Sequence, residues 1–153
     1  MVSVCRWPVE SVSTGLPDII LPVRDSGVLQ SLQPDMDALS ALSVRLDVVG
    51  VHAFAVSPGE VCTAHVRNFA PRYGIPEESA TGTANAALTY YLYRHGLVAD
   101  GAACSFLQGE AMGRPSTVHA TLTLRDGVPD IRIGGPCAIV ARGATQDAIP
   151  GAQ

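Results

Sequence analysis

The stretch Glu77-Glu78-Ser79-Ala80-Thr81-Gly82-Thr83-Ala84-Asn85-Ala86-Ala87-Leu88-Thr89-Tyr90-Tyr91-Leu92-Tyr93-Arg94-His95-Gly96 limits what this chain can fold into more than any other. It reads as an acidic, small-residue turn running into a helix over Ala80 to His95. Ser79, Thr81 and Thr83 are the available N-cap types, and Gly96 stands where a left-handed C-cap is wanted. Between the caps there is no charged face: Ala84, Ala86, Ala87, Leu88, Tyr91 and Leu92 fall on several sides. A helix that is apolar nearly all round is buried on all sides. Its expected place is inside a curled sheet.

A buried helix that opens on Gly82 and Thr83 is also a place to hold an anion. Its first N–H groups have no intrahelical partner, and the helix dipole puts partial positive charge at that end. Gly82 allows close approach to the backbone and Thr83 adds a hydroxyl. Spacing alone equally describes a capped core helix, so the rest of the chain has to decide.

At 153 residues the chain is long enough for one domain burying roughly 68–70% of its unfolded surface. With 47% apolar and 16% charged residues it forms a core. A net charge of −4 leaves no broad basic face for nucleic acid. No apolar run is long enough to span a bilayer, and no signal-peptide pattern opens the chain; no membrane association and a cytoplasmic location are the expectation. All ten basic residues are arginines, which excludes a Schiff-base lysine supplied by this chain. Cys5, Cys62, Cys104 and Cys137 lie in or beside apolar runs without Cys-x-x-Cys spacing and read as buried free thiols. His52, His65, His95 and His119 show no metal-ligand spacing. No metal and no cofactor are expected.

In chain order, Val9–Pro17 reads as a strand ending in a turn, and Asp18–Val23 as a short buried strand. An amphipathic helix runs from Pro34 and Asp35 to about Leu46, capped by Asp35, with Met36, Leu39, Leu42 and Leu46 on one face. Asp47–Val56 is a near-continuous apolar run suited to a central strand. Val61–Phe69 alternates as a strand with a polar side. Ala103–Gly109, Thr117–Leu124 and Ile131–Ile133 are further strands, the last two joined by an Asp126-Gly127 hairpin signal. Cys137–Gly143 reads as a final strand, and 144–153 as a frayed tail. The sum is six or seven strands, one amphipathic outer helix and one apolar inner helix. Strands in runs give the α+β class: a curled mixed β-sheet wrapped around a central apolar helix, one domain over 1–143.

Four ordered blocks then acquire a joint meaning. They are Ser13-Thr14-Gly15-Leu16-Pro17; Arg67-Asn68-Phe69-Ala70-Pro71; Glu78-Ser79-Ala80-Thr81-Gly82-Thr83-Ala84; and Gln108-Gly109 with Met112-Gly113-Arg114-Pro115-Ser116. Together they resemble the phenazine-biosynthesis isomerase-like (PhzF-like) family, relatives of diaminopimelate epimerase. The resemblance runs from about Val9 to Gly143. It implies two similar domains with the active site in the cleft between them, of which this chain looks like the second. The family's general acid/base glutamate, and a glycine-histidine pair, lie in the first domain and have no match in residues 1–153.

What the resemblance carries over is the second half of a site. Glu78 matches a family aspartate that hydrogen-bonds the substrate or relays its proton. Gly82 and Thr83 match a glycine-serine pair whose N–H groups hold a substrate carboxylate, and Thr81 stands where diaminopimelate epimerases place a catalytic cysteine. A hydroxyl there cannot supply a thiolate base, which argues against two-cysteine racemisation. Ser79 replaces a usual proline. Glu78 is longer than the family aspartate by one methylene; its alternative role is a solvated acid favouring the helix N-terminus.

Arg67 and Arg72 are expected to pair with Glu77, Glu78 or surface groups. Arg114 is expected to fix a turn, while Cys104, His119, Tyr90, Tyr91 and Tyr93 are expected to pack. The implied function is half of a cofactor-independent isomerase or epimerase acting by proton transfer on a small carboxylated substrate. Its expected partner is a second copy or a first-domain chain. The alternatives are a non-catalytic small-carboxylate-binding domain and a structural dimerisation domain.

Overall fold

Polar-apolar alternation along the strands sorts residues to two faces of one sheet, and the helices cover those faces unequally. The computed structural model describes residues 7–57 and 62–143. In chain order it forms β1 (Glu10–Ser13), β2 (Pro17–Pro22), α1 (Ser26–Gln30), α2 (Met36–Leu46), β3 (Val51–Val56), β4 (Ala64–Ala70) and β5 (Ile75–Glu78). Then follow α3 (Gly82–Arg94), β6 (Ala103–Gln108), β7 (Ser116–Arg125) and β8 (Val128–Gly134). The strand order is β1-β2-β3-β4-β6-β7-β8, with β5 paired to β4 as a spur. The fold is α+β, a mixed sheet curled around α3.

Two strand pairs are parallel, β2 with β3 and β4 with β6; the rest are antiparallel. A parallel pair needs a crossover connection. One crossover runs through α1 and α2 on the outer face, the other through β5 and α3 on the inner face. This topology fixes the start of α3 beside the ends of β2, β4 and β5.

The inner face packs Ile20, Phe54, Val66, Phe106, Val118 and Ala120 around Ala87, Leu88, Tyr91 and Leu92 of α3. Leu88 and Leu92 are 0% and 1% exposed, as an enclosed helix requires. Each such side chain contributes roughly 1.5–3 kcal/mol of apolar burial. Tyr91 stacks edge-on against Phe54, ring centroids 5.6 Å apart, and donates its hydroxyl to the Pro8 carbonyl at 2.6 Å. On the outer face, Leu29 of α1 and Leu39 of α2 pack over Val23, Ala53, Ala55 and Phe69.

Several expectations shift. α3 starts at Gly82 rather than Ala80, because Ser79 and Ala80 belong to the loop leaving β5. The apolar run from Asp47 is a strand only from Val51. Asp47 ends α2 in the left-handed conformation, φ 51°, and Val48 to Gly50 form the link. α1 and β5 are additional elements, and the described residues form eight strands rather than six or seven.

Cys137–Gly143 forms no strand: β8 stops at Gly134, and Ile139 and Val140 lie exposed. Gly135 and Pro136 interrupt the extension, since proline offers no N–H to a ladder. Cys137 is consequently exposed, not buried, while Cys104 is buried and Cys62 half-buried. His119 is likewise exposed, because β7 turns it to the outer face while Val118 and Ala120 point inward. Cys5, Val61 and the 144–153 tail lie outside the described residues.

Candidate functional site

Helix caps distinguish the start of α3 from the starts of α1 and α2. Asp25 caps α1 by accepting from the Val28 N–H at 2.8 Å, and Asp35 caps α2 from the Ala38 N–H at 3.0 Å. Thr81 stands at the same position of α3, yet its side chain makes no capping hydrogen bond. Its hydroxyl instead donates to Glu78 Oε2 at 2.6 Å and accepts from Gln108 Nε2 at 3.0 Å. The first-turn N–H groups of α3 therefore receive no side-chain oxygen. Gly82 and Thr83, which carry two of them, are exposed.

The loop that sets this geometry is clamped from below. Gln108, fully buried at the end of β6, donates to the Glu78 carbonyl at 2.7 Å and accepts from the Thr81 N–H at 3.2 Å. The Ser116 hydroxyl donates to the Ser79 carbonyl. Gly109 sits at φ +82°, where a side chain would also collide with the Arg114 carbonyl and the Ser79 Cβ. These contacts give the Gln108-Gly109 and Met112–Ser116 blocks a physical role: they hold the Glu78–Thr81 loop in place. The Arg114 side chain is exposed, and its turn is held by backbone, the Arg114 N–H donating to Gly109 O at 3.0 Å.

Behind the loop lies a buried polar network that spacing arguments did not reveal. His52 on β3 is enclosed, with Nδ1 3.0 Å from the Asn68 carboxamide and Nε2 3.2 Å from Asn85 Oδ1. Burial pushes its pKa down to about 4, so the ring is neutral and has one N–H. Asn85 is oriented by donating to the Thr81 carbonyl at 2.8 Å and to Gln108 Oε1 at 2.9 Å. Its oxygen therefore faces the ring and accepts the Nε2–H. Nδ1 is then an acceptor, so the Asn68 amide, whose Oδ1 is placed 3.0 Å from it, turns over to present its NH2. His52 positions α3 against β4.

Register explains why these groups meet. On the inner face His52 is paired with Ile20 and with Asn68, and Asn68 with Glu78. Two residues before Ile20, Asp18 points to the same face. It is 2% exposed, and its Oδ1 has no hydrogen-bond partner. Asp18, Asn68, Glu78, Thr81 and Thr83 together line a cleft of about 280 Å³, rimmed by Leu16, Tyr73 and Ile75. Desolvation raises the Asp18 pKa to about 6; the Gly50 amide opposes the shift and the charge of Glu78 adds to it. Two roomier clefts, about 540 and 900 Å³, open elsewhere, one beneath α1 and α2 and one around His65 and His119. Neither contains a carboxyl or the start of a helix.

The sequence-expected residues Glu78, Thr81, Gly82 and Thr83 thus come together at one mouth, joined there by Asp18, Asn68 and the supporting His52, Asn85 and Gln108. Asp18 opens a short apolar strand run in which nothing local marks it as a site residue. The signal that finds it is register: positions 18, 52, 68 and 78 fall on one face. Arg67 and Arg72 are turned elsewhere. Arg67 forks onto Glu77 at 2.9 and 2.8 Å, and Arg72 reaches Asp47 at 3.1 Å.

The model of the phenazine biosynthesis-like protein family matches residues 4–143. The chain belongs to that family. An uncharacterized isomerase from Deinococcus radiodurans is 37% identical over 139 residues, 88% of this chain and 44% of the relative. The trans-2,3-dihydro-3-hydroxyanthranilate isomerase of Pseudomonas chlororaphis is 30% identical over 143 residues, 93% of this chain and 49% of the relative. The chain spans about half the length of the curated relatives it matches. A phenazine biosynthesis protein of the PhzF family from Bacillus anthracis superposes with a TM-score of 0.72 at 22% identity, covering 84% of this chain and 45% of that one. That likeness establishes the PhzF-like fold.

Proposed function

We propose that this phenazine biosynthesis-like chain supplies one half of a cofactor-independent isomerase that moves a proton on a small carboxylated substrate. The observation that carries the reading is the uncapped start of α3. The hydroxyl that would close it is held by Glu78 and Gln108, leaving the Gly82 and Thr83 N–H groups for an anion. In this reading a substrate carboxylate takes the place of the missing cap, with Thr81 and Thr83 along its flank. Glu78, oriented by the Thr81 hydroxyl, faces the reacting carbon and relays the proton. Side-chain acids and bases suffice for such chemistry, each contributing about 10²–10⁴-fold.

The other half of the reaction needs a base on the opposite wall of the cleft. A first domain bearing the family's glutamate is the natural source, and the coverage of relatives by about half supports it. So does the rim: Leu16, Tyr73 and Ile75 are 50%, 57% and 40% exposed around the cleft mouth. Apolar side chains grouped around a polar cleft suit an interface that excludes water when closed. The partner is a first-domain chain or a second copy of this one.

Solvent-deuterium incorporation tests the proposal, with trans-2,3-dihydro-3-hydroxyanthranilate as the first substrate tried. This chain alone should incorporate no deuterium above background. A first domain carrying the glutamate should restore exchange, and Glu78→Gln should then lower it by about 10²-fold or more. Exchange catalysed by the 153-residue chain alone would show that the main base lies within it. Unchanged exchange in the complemented Glu78→Gln protein would remove Glu78 from the proton path.

A further inference from the structure

The Asp18 carboxyl takes no part in the proton transfer proposed for Glu78. It comes from β2, lines the same cleft as Glu78, Thr81 and Thr83, and is 2% exposed. An ionised carboxylate so buried is costly unless something pairs with it. Oδ1 has no partner, and neither arginine nor histidine lines the cleft. Glu10 on β1 lies 3.4 Å from Arg94 and His95 at the far end of α3, and Arg132 on β8 is 3.6 Å from Asp130. Glu78 is on β5, Tyr73 on the turn following β4, and His52 on β3 is neutral between Asn68 and Asn85. Arg67 is held on the outer face by Glu77, and Arg72 by Asp47 and the Val48 carbonyl.

We propose that Asp18 and Glu78 form a carboxyl pair across the cleft in which Asp18 is the protonated member, and that its O–H donates a hydrogen bond to the substrate carboxylate seated on α3. This deepens, and rests on, the reading of that helix start as a carboxylate seat. The unpartnered Oδ1 is then the polar group that awaits the ligand. A neutral Asp18 lets an anion enter a cleft that already holds Glu78, whereas two ionised carboxylates would repel it. Burial raises the Asp18 pKa to about 6 against the opposing Gly50 amide, and the nearby charge of Glu78 adds to the rise, in keeping with a protonated Asp18. The ligand class narrows accordingly: a small monocarboxylate, bound better below pH 6 than above it.

Two measurements on the chain as it stands test this. Carboxyl carbon resonances of uniformly labelled protein, with Asp18→Asn used to assign Asp18, give its titration without any ligand. Asp18 should titrate near pH 6, and Glu78→Gln should move its midpoint downward. A midpoint near the ordinary aspartate value of about 4, or one indifferent to Glu78→Gln, would overturn the pair.

The second measurement is the affinity for benzoate at pH 5 and pH 8. Wild type should weaken by about tenfold or more as Asp18 ionises, while Asp18→Asn, neutral throughout and still a donor, should hold its affinity. A pH-independent wild type, or an Asp18→Asn variant that weakens as steeply, would overturn the ligand role. No benzoate binding at any pH, with Asp18 still titrating near 6, would overturn the carboxylate seat and with it that ligand role. A change in Asp18 that only loosened the fold would appear in the circular dichroism and not in the pH slope.

Discussion

Strand β5 delivers Glu77 to the outer face of the sheet and Glu78 to the inner one, and the two carboxylates meet different company. Glu77 is forked by Arg67, whose guanidinium also donates to the carbonyls of Leu29, Gln30 and Leu32. Both side chains are nearly enclosed, at 8% and 14% exposure, and every charge there has a partner. Glu78 receives one threonine hydroxyl and faces a second acid, Asp18, across a cleft without a cation. One residue apart, the chain builds a closed ion pair and an open acidic cleft. A fold completes the polar groups it uses for its own support. Those left incomplete at the start of a helix are available to a ligand.

The largest effect expected from breaking this contrast is on the closed side. Glu77→Gln should leave Arg67 buried without its counter-charge and cost about 3–5 kcal/mol in urea unfolding. Glu78→Gln should cost less than about 1 kcal/mol, since its carboxylate has a single neutral partner and an open side. Equal losses from the two variants would erase the distinction.

Next comes Asp18. Its folded pKa lies above that of the unfolded chain, so the native state holds its proton longer and stability falls as pH rises from about 4 through 6. Roughly two pKa units correspond to about 3 kcal/mol. Asp18→Asn should therefore stabilise the protein at pH 8 by up to about that amount and change little at pH 4. Urea midpoints at the two pH values read it directly, and a destabilised variant at pH 8 would contradict the account.

His52 acts in the opposite sense. Its folded pKa, about 4, lies below the unfolded 6.5, so its contribution is present above pH 6.5 and is lost as pH falls toward 4. The magnitude is again roughly 3 kcal/mol. In wild type the two slopes oppose each other between pH 4 and 6. Asp18→Asn should unmask that of His52 and become markedly less stable on acidification across this range. A flat Asp18→Asn profile would mean that His52 is not held neutral.

The smallest effect on stability belongs to Gly82. A Cβ there would meet only Ile133 Cγ2, at an ordinary 3.4 Å, so Gly82→Ala should change unfolding by less than about 1 kcal/mol. Benzoate affinity should nonetheless fall severalfold, because the added methyl crowds the N–H groups at the helix start. Unaltered affinity would place the anion elsewhere.

Much of this was legible in the sequence for local reasons. The all-round apolar pattern of Ala84–Leu92 required an enclosed helix. Asp35 caps α2, Gly96 takes the left-handed conformation at φ 70°, and Asp126-Gly127 makes the hairpin turn with both residues at positive φ. Gly82 and Thr83 were legible as the opening of α3, and the family resemblance added Glu78 and Thr81 from the same short segment. The outer partner of Arg67 was within reach because Glu77 is ten residues away.

Asp18 and His52 escaped because their significance is non-local: four strands must pair in one register before positions 18, 52, 68 and 78 share a face. Adjacent residues on a strand point to opposite sides, so no single-segment pattern separates Glu77 from Glu78 until β5 is recognised. β5 itself was hidden by Pro76, which marks a loop in sequence but is tolerated on a spur that pairs along one edge only. The Cys137–Gly143 run had strand-like composition and nothing in the described sheet to pair with.

The central claim is that the open side of this contrast is a carboxylate seat at the start of α3. Amide proton–nitrogen spectra of the chain titrated with benzoate at pH 5 test it most directly. The Gly82 and Thr83 resonances should show the largest shifts, followed by those around Asp18, with Arg67 and Glu77 unmoved. Shifts centred on another surface, or none at Gly82 and Thr83, would contradict it.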